Sequence, residues 1–195
     1  MATHGIQPAE TQLSSAAVLL HLGLVLFGIT ALFTGGLADD YKKMEYTGYT
    51  LHSWLGMGGA FFIFLRVILG LVGPRHLRFS QWAPYTRERL RLAGEDIVGL
   101  LRLRLPERPA HAGVAGLVQA FGLLGLIATA SSGLLLYFIL EPGYKARGFA
   151  HSIKEFHEGS IFLVLLFLSL HMGAIIAHAL RGRHYWRSMI FLKGR

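Results

Sequence analysis

The segment His157–Arg183, HEGSIFLVLLFLSLHMGAIIAHALRGR, constrains this chain more than any other. It is apolar over a length that lets a helix cross a bilayer. Yet it begins with His157, carries His171 inside and has His178 near its end. His157 and His171 are fourteen residues apart. That spacing rises about 21 Å and makes nearly four whole turns, so the two share a face at two depths. Ionisable side chains inside a membrane segment are rare and face the bundle interior. Two imidazoles presented inward from one helix therefore ask for partners elsewhere in the chain.

Of the 195 residues, 53% are hydrophobic and 15% charged, less charge than a soluble domain of this length carries. The expected fold is an all-α membrane protein, a four-transmembrane-helix bundle with one domain over residues 1–195 and lipid as its surroundings. The spans are expected at about 14–37, 50–72, 113–140 and 157–180, each an apolar run of sufficient length. The absence of cysteine excludes thiolate-held iron–sulfur clusters, disulfides, thioether-linked haem and zinc–thiolate sites. The net charge of +8 fits positively charged cytoplasmic loops, and no nucleic-acid partner is expected. Residues 1–13 hold no Lys or Arg and so lack the basic start of a signal peptide; they read as a short cytoplasmic tail.

The first span carries His21, with Gly28 on the same face, and leads into a connection with Tyr41, Tyr46 and Tyr49 that suits an interfacial aromatic belt. The second opens on His52 and holds Gly56 and Arg66 on the His52 face. Glycines on those faces either admit a flat macrocycle to the backbone or let helices pack closely. A long arginine-rich connection follows, from Gly73 to about His111. Its part from Thr86 to Leu105 mixes Arg with Leu, Ile and Val at helical spacing, as an amphipathic helix in the headgroup plane would. The third span has no histidine or charge inside it and reads as scaffold. The arginine-rich connection and the basic tail belong on one side, which places both termini in the cytoplasm.

That topology sets depth. His21 and His171 fall toward the inner ends of the first and fourth spans, and His52 and His157 at the outer ends of the second and fourth. Two depth-matched pairs suit two stacked haems, each iron held by two imidazoles with no open position, an arrangement for electron transfer. No Glu-x-x-His set lies inside the spans, which argues against a di-iron carboxylate site. Arg66 reaches the level of the inner pair, where a haem propionate is its expected counter-charge; snorkelling to the headgroups is the alternative. His178 sits near the cytoplasmic rim, open to a quinone, a propionate or water, and is not counted as a ligand. His4, His76, His111, His151 and His184 lie in polar segments and are expected to be solvent-exposed.

The residues that carry a family resemblance are now in view. They are LLHLGLVLFGITALFTG in the first span, the His-x-x-x-Gly of the second with its later Leu-Arg, and the His-x13-His of the fourth. With the RFSQW connection and the ending around Met189, they resemble the bacterial cytochrome b561 family over nearly the whole chain from about Leu13. Cytochrome b subunits of nickel–iron hydrogenases and formate dehydrogenases share the plan. Ser53, where many relatives carry a basic residue, and the long arginine-rich connection depart from it.

The resemblance implies two b-type haems on His21, His52, His157 and His171, and electron exchange with membrane quinone. The setting it implies is the bacterial inner membrane. The short outer connections leave little room for a catalytic domain, so a periplasmic oxidoreductase subunit is an expected partner, and a homodimer is left open. A stand-alone superoxide:quinone oxidoreductase is the alternative, disfavoured because steering an anion calls for a basic outer surface. Here Asp39, Asp40, Glu45, Glu141 and Glu155 balance Lys42, Lys43, Lys145, Arg147 and Lys154. A haem-free membrane anchor is the third reading.

Overall fold

The computed structural model describes residues 14–43, 46–108, 111–184 and 186–187. His4, the 1–13 segment, Glu45 and the ending around Met189 lie outside the described residues. The described chain is helical: α1 (Ser15–Thr34), a 3-10 segment (Gly35–Lys42), α2 (Thr47–Val72), a short 3-10 turn (Arg75–Leu77), α3 (Phe79–Trp82), α4 (Arg87–Leu101), α5 (Val114–Ile139) and α6 (Gly148–Leu180). Four of these, α1, α2, α5 and α6, are long and apolar enough to cross a membrane. Helices are the form such sequences take in lipid, because every interior backbone group is satisfied within its own segment.

Two spans begin earlier than hydropathy suggests. The fourth helix starts at Gly148 instead of about 157, so residues 148–156, expected in a connection, form its first turns. They are polar and invisible to an apolar window, yet the i,i+4 pair of Lys154 and Glu158 supports the helix there. The second starts at Thr47 instead of about 50, because Asp40 accepts the N–H groups of Gly48 and Tyr49 at 2.8 and 2.7 Å and caps the helix.

The main packing joins α1 to α2, α2 to α5 and α5 to α6. Lipid offers no hydrophobic drive for helices to associate, so close approach of backbones at small residues does the work. Rings of one helix lie over glycines of the next: Phe27 over Gly58, Phe62 over Gly23 and Phe167 over Gly122. Where Gly59 faces α1, an added Cβ would come within 3.9 Å of the Gly28 nitrogen. The turn regions are tied together too. Tyr41, only 3% exposed, accepts the Gly143 N–H on its carbonyl at 2.6 Å and the Ala146 N–H on its hydroxyl at 3.2 Å. This fixes the α5–α6 turn against the α1–α2 turn, and with it the helix ends bearing His52 and His157.

At the other end α4 packs on α5 through Ala93 and Asp96, both buried. Elsewhere on α4, Leu90, Ile97, Val98 and Leu101 are exposed, as are Arg87 and Arg91.

Candidate haem site

His52 and His157 meet across the bundle. Their ring centroids are 6.2 Å apart and the planes are inclined by 72°. Each ring is held by the helix that precedes its own in the packing. His52 Nδ1 lies 3.0 Å from the Ala31 carbonyl oxygen and 3.4 Å from Thr34 Oγ1, both on α1. His157 Nδ1 lies 2.9 Å from the Thr129 carbonyl oxygen and 3.1 Å from Ser132 Oγ, both on α5. A carbonyl oxygen has no proton to give, so Nδ1 is the N–H donor on both rings and Nε2 carries the free lone pair. This is how a protein readies an imidazole to bind metal: the distal nitrogen is fixed as donor, and the tautomer and ring orientation follow.

The backbone of His157 is clamped as well. Ser160 Oγ donates to the His157 carbonyl at 2.7 Å, so the 2.7 Å contact between Thr129 and Ser160 hydroxyls runs from Thr129 to Ser160. Gly133 lies against the same ring. The third span reads from the sequence as scaffold; in the structure α5 also supplies Thr129, Ser132 and Gly133 around His157. No charge or histidine marks that stretch, and only its run of small hydroxyl residues, TASSG, hinted at it.

His21 and His171 stand on α1 and α6, the outer members of the row, within electrostatic reach of each other. Ala31, which anchors His52, follows His21 by ten residues, so His21 lies about 15 Å down α1 from that anchor. His171 lies about 21 Å down α6 from His157 by the same rise. His21 Nδ1 is buried without a hydrogen-bond partner among the described residues, and the His171 ring stacks on Phe167 at 5.5 Å and 24°. Gly28, two turns beyond His21, and Gly56, one turn beyond His52, each face open space: an added Cβ would meet nothing within 4 Å. At these two positions the missing side chain leaves room beside the histidine faces, unlike Gly23 and Gly58, which are packed under rings. Among the described residues no three of His, Asp or Glu form a cluster suited to a metal ion.

Residues 12–192 match the family model for prokaryotic cytochrome b561. The chain belongs to that family. Comparison with curated proteins and with solved structures finds no match. As a prokaryotic cytochrome b561 it is a multi-pass membrane protein, a b-type cytochrome that binds haem and works in electron transfer.

Arg66, the remaining site residue read from the sequence, has partners that this cytochrome's sequence did not suggest. Its guanidinium donates to the Leu77 carbonyl at 3.3 Å and lies over the rings of Phe79 and Trp82, 5.2 and 5.4 Å from their centroids. His111, expected in solvent with the other loop histidines, is instead half-buried with its ring 6.0 Å from that of Trp82. Burial holds its imidazole below the usual range; a hydrogen bond to the Gln119 side chain opposes the shift and the Arg66 charge adds to it. His151 and His184 are exposed, as expected.

Proposed function

We propose that this cytochrome carries two b-type haems, one between His52 and His157 and one between His21 and His171. In this reading it passes single electrons across the bacterial inner membrane between a periplasmic redox partner and the quinone pool. The observation that carries the proposal is the His52–His157 geometry. Metal–imidazole bonds of about 2 Å on either side of one ion put two ring centroids about 6 Å apart, and the observed separation is 6.2 Å. The inclination between the planes is compatible, because rotation about the nitrogen–metal axis changes no bond length. The haems supply one-electron exchange at irons with no open coordination position.

The chain's own residues do the rest. Ala31, Thr34, Thr129 and Ser132 hold the two N–H groups and leave Nε2 for the metal. Gly28 and Gly56 leave space for the macrocycle faces. Arg66 uses one donor on Leu77 and keeps others for a propionate. The apolar bundle excludes water and sets the local dielectric.

The arginine-rich connection places both termini in the cytoplasm under the positive-inside rule. The exposed Leu90, Ile97, Val98 and Leu101 of α4, with the exposed Arg87 and Arg91 on the same helix, then rest among the inner headgroups. His52 and His157 stand at the periplasmic end, within reach of a docked partner.

Haem stoichiometry tests the reading. Purified protein should hold two haems per chain, and His52→Ala or His157→Ala should lose one of them with a matching loss of Soret absorbance. His21→Ala or His171→Ala should lose the other. Retention of two equivalents in both His52→Ala and His157→Ala would refute the assignment. Reduction of the wild-type haems by added quinol tests the exchange with quinone.

A further inference from the structure

The two halves of the bundle hold their histidines by one repeated device. In α1, Ala31 supplies a carbonyl and Thr34, three residues later, a hydroxyl, and Gly35, just past the end of α1, takes the next position; all lie against His52 of α2. In α5, Thr129 supplies the carbonyl, Ser132 the hydroxyl and Gly133 the next position, against His157 of α6. At both glycines the atom met by an added Cβ is the histidine Cε1, at 3.8 Å for Gly35 and 2.8 Å for Gly133. The pairs α1–α2 and α5–α6 are thus related as two copies of one histidine-holding unit, although the segments ALFTG and TASSG share little besides a hydroxyl followed by glycine.

Proton counting shows what the hydroxyls do. Ser132 Oγ gives its hydrogen to the Ala128 carbonyl, 2.7 Å away, and Thr34 Oγ1 gives its own to the Thr30 carbonyl at 2.9 Å. Both oxygens therefore face the histidine as acceptors. Each imidazole N–H is shared between a carbonyl and a hydroxyl on one helix turn, which fixes the direction of the bond and the rotation of the ring. A single acceptor would fix only the first.

We propose that Ser132 and Thr34 are positioning residues for the haem held by His157 and His52: they set the rotation of the two ring planes and strengthen the donation of each imidazole to iron. A hydrogen bond to the distal N–H raises the basicity of a ligating histidine, which favours the oxidised iron. Ser132 acts more strongly than Thr34, because its contact is shorter, 3.1 against 3.4 Å, and it is 5% exposed.

This inference rests on the proposed haem site, and the experiment separates the two. Ser132→Ala and Thr34→Val are purified with haem, and each haem is followed by redox titration and by the g-anisotropy of its oxidised low-spin spectrum. Ser132→Ala should retain two haems. It should change the oxidised-to-reduced ratio of one haem severalfold toward reduced at fixed potential, and move that haem's g-anisotropy. Thr34→Val should do the same to the same haem, less strongly, and the second haem should be unmoved in both. Ser132→Thr, which keeps the oxygen, should restore the wild-type titration, and it stands in with Thr34→Val if Ser132→Ala does not fold. Two haems with unchanged titration and spectra in Ser132→Ala and Thr34→Val would overturn the positioning role and leave the haem site standing. Two haems retained in both His52→Ala and His157→Ala would overturn the site itself.

Discussion

Gly133 of α5 lies against the ring of His157: a Cβ there would come within 2.8 Å of Cε1 and 3.3 Å of Nδ1. In a helix interior, replacing glycine by alanine ordinarily stabilises by about 0.5–1 kcal/mol, because alanine loses less backbone freedom on folding. Here the added methyl pushes the ring off its Thr129 and Ser132 partners. Gly133→Ala should lower haem content toward one per chain, while Gly173→Ala, which adds a methyl to open space on α6, should keep two. Haem-to-protein ratios of the two purified variants check this; equal ratios would show that the ring has room to move.

Among the described residues, Arg66 is balanced by the faces of Phe79 and Trp82 and by the Leu77 carbonyl. Stacking of a guanidinium on aromatic rings contributes about 0.5–2 kcal/mol, and a lysine cannot reproduce the planar contact. Thermal melts in detergent should therefore rank wild type above Arg66→Lys above Arg66→Leu. A positive charge near a haem favours the reduced form, so Arg66→Gln should lower the midpoint of the haem proposed between His21 and His171 and leave the one proposed between His52 and His157 unchanged. If both midpoints stayed in place, Arg66 would be a structural residue of the α2–α3 corner and no partner of a propionate.

The four spans were legible because their apolar runs are long and the membrane admits few alternatives. The histidine spacing was legible because 3.6 residues per turn converts sequence distance directly into face and depth. The start of α6 was not, since Gly148–Phe156 is held in the helix by an ion pair and by the Tyr41 contacts to the preceding turn, neither of which has a hydropathy signature. The part played by Ser132 and Thr34 was hidden for a related reason. A serine or threonine bonded to its own helix looks like filler, and only the approach of a neighbouring helix shows that the oxygen has a second partner. His111 was misread because its burial comes from Trp82, remote in sequence and brought close by packing.

His111 offers a pH test outside the spans. Its folded-state value is lowered chiefly by burial, with the Arg66 charge adding. Above the ordinary histidine value near 6.5 both folded and unfolded chains hold a neutral ring, and the packing contributes in full. As pH falls below that value the unfolded chain takes up a proton that the folded chain resists, so stability is lost until the folded-state value is passed. Between pH 7.5 and 5.5 the wild-type melting temperature should fall more steeply than that of His111→Asn. Asparagine is the fitting replacement, because it tolerates the positive φ of 66° at this position. Parallel curves for the two proteins would show that His111 binds protons alike in both states.

Asp96 joins the arginine-rich connection to the bundle. It is 6% exposed; its Oδ1 accepts from Arg108 Nε at 2.6 Å and its Oδ2 from the Val114 N–H at 3.0 Å, at the first residue of α5. A carboxylate there meets an unsatisfied helix N–H and the positive end of the helix dipole together. Asp96→Asn keeps one oxygen for Val114 and loses the charge that faces Arg108; Asp96→Ala loses both. The cap alone contributes about 1 kcal/mol, so melting temperatures should rank wild type above Asp96→Asn above Asp96→Ala, with two haems retained in all three. Arg108→Gln should resemble Asp96→Asn, since each leaves the cap and removes the ion pair. An Asp96→Asn protein as unstable as Asp96→Ala would mean that the ion pair, and not the cap on α5, anchors this corner.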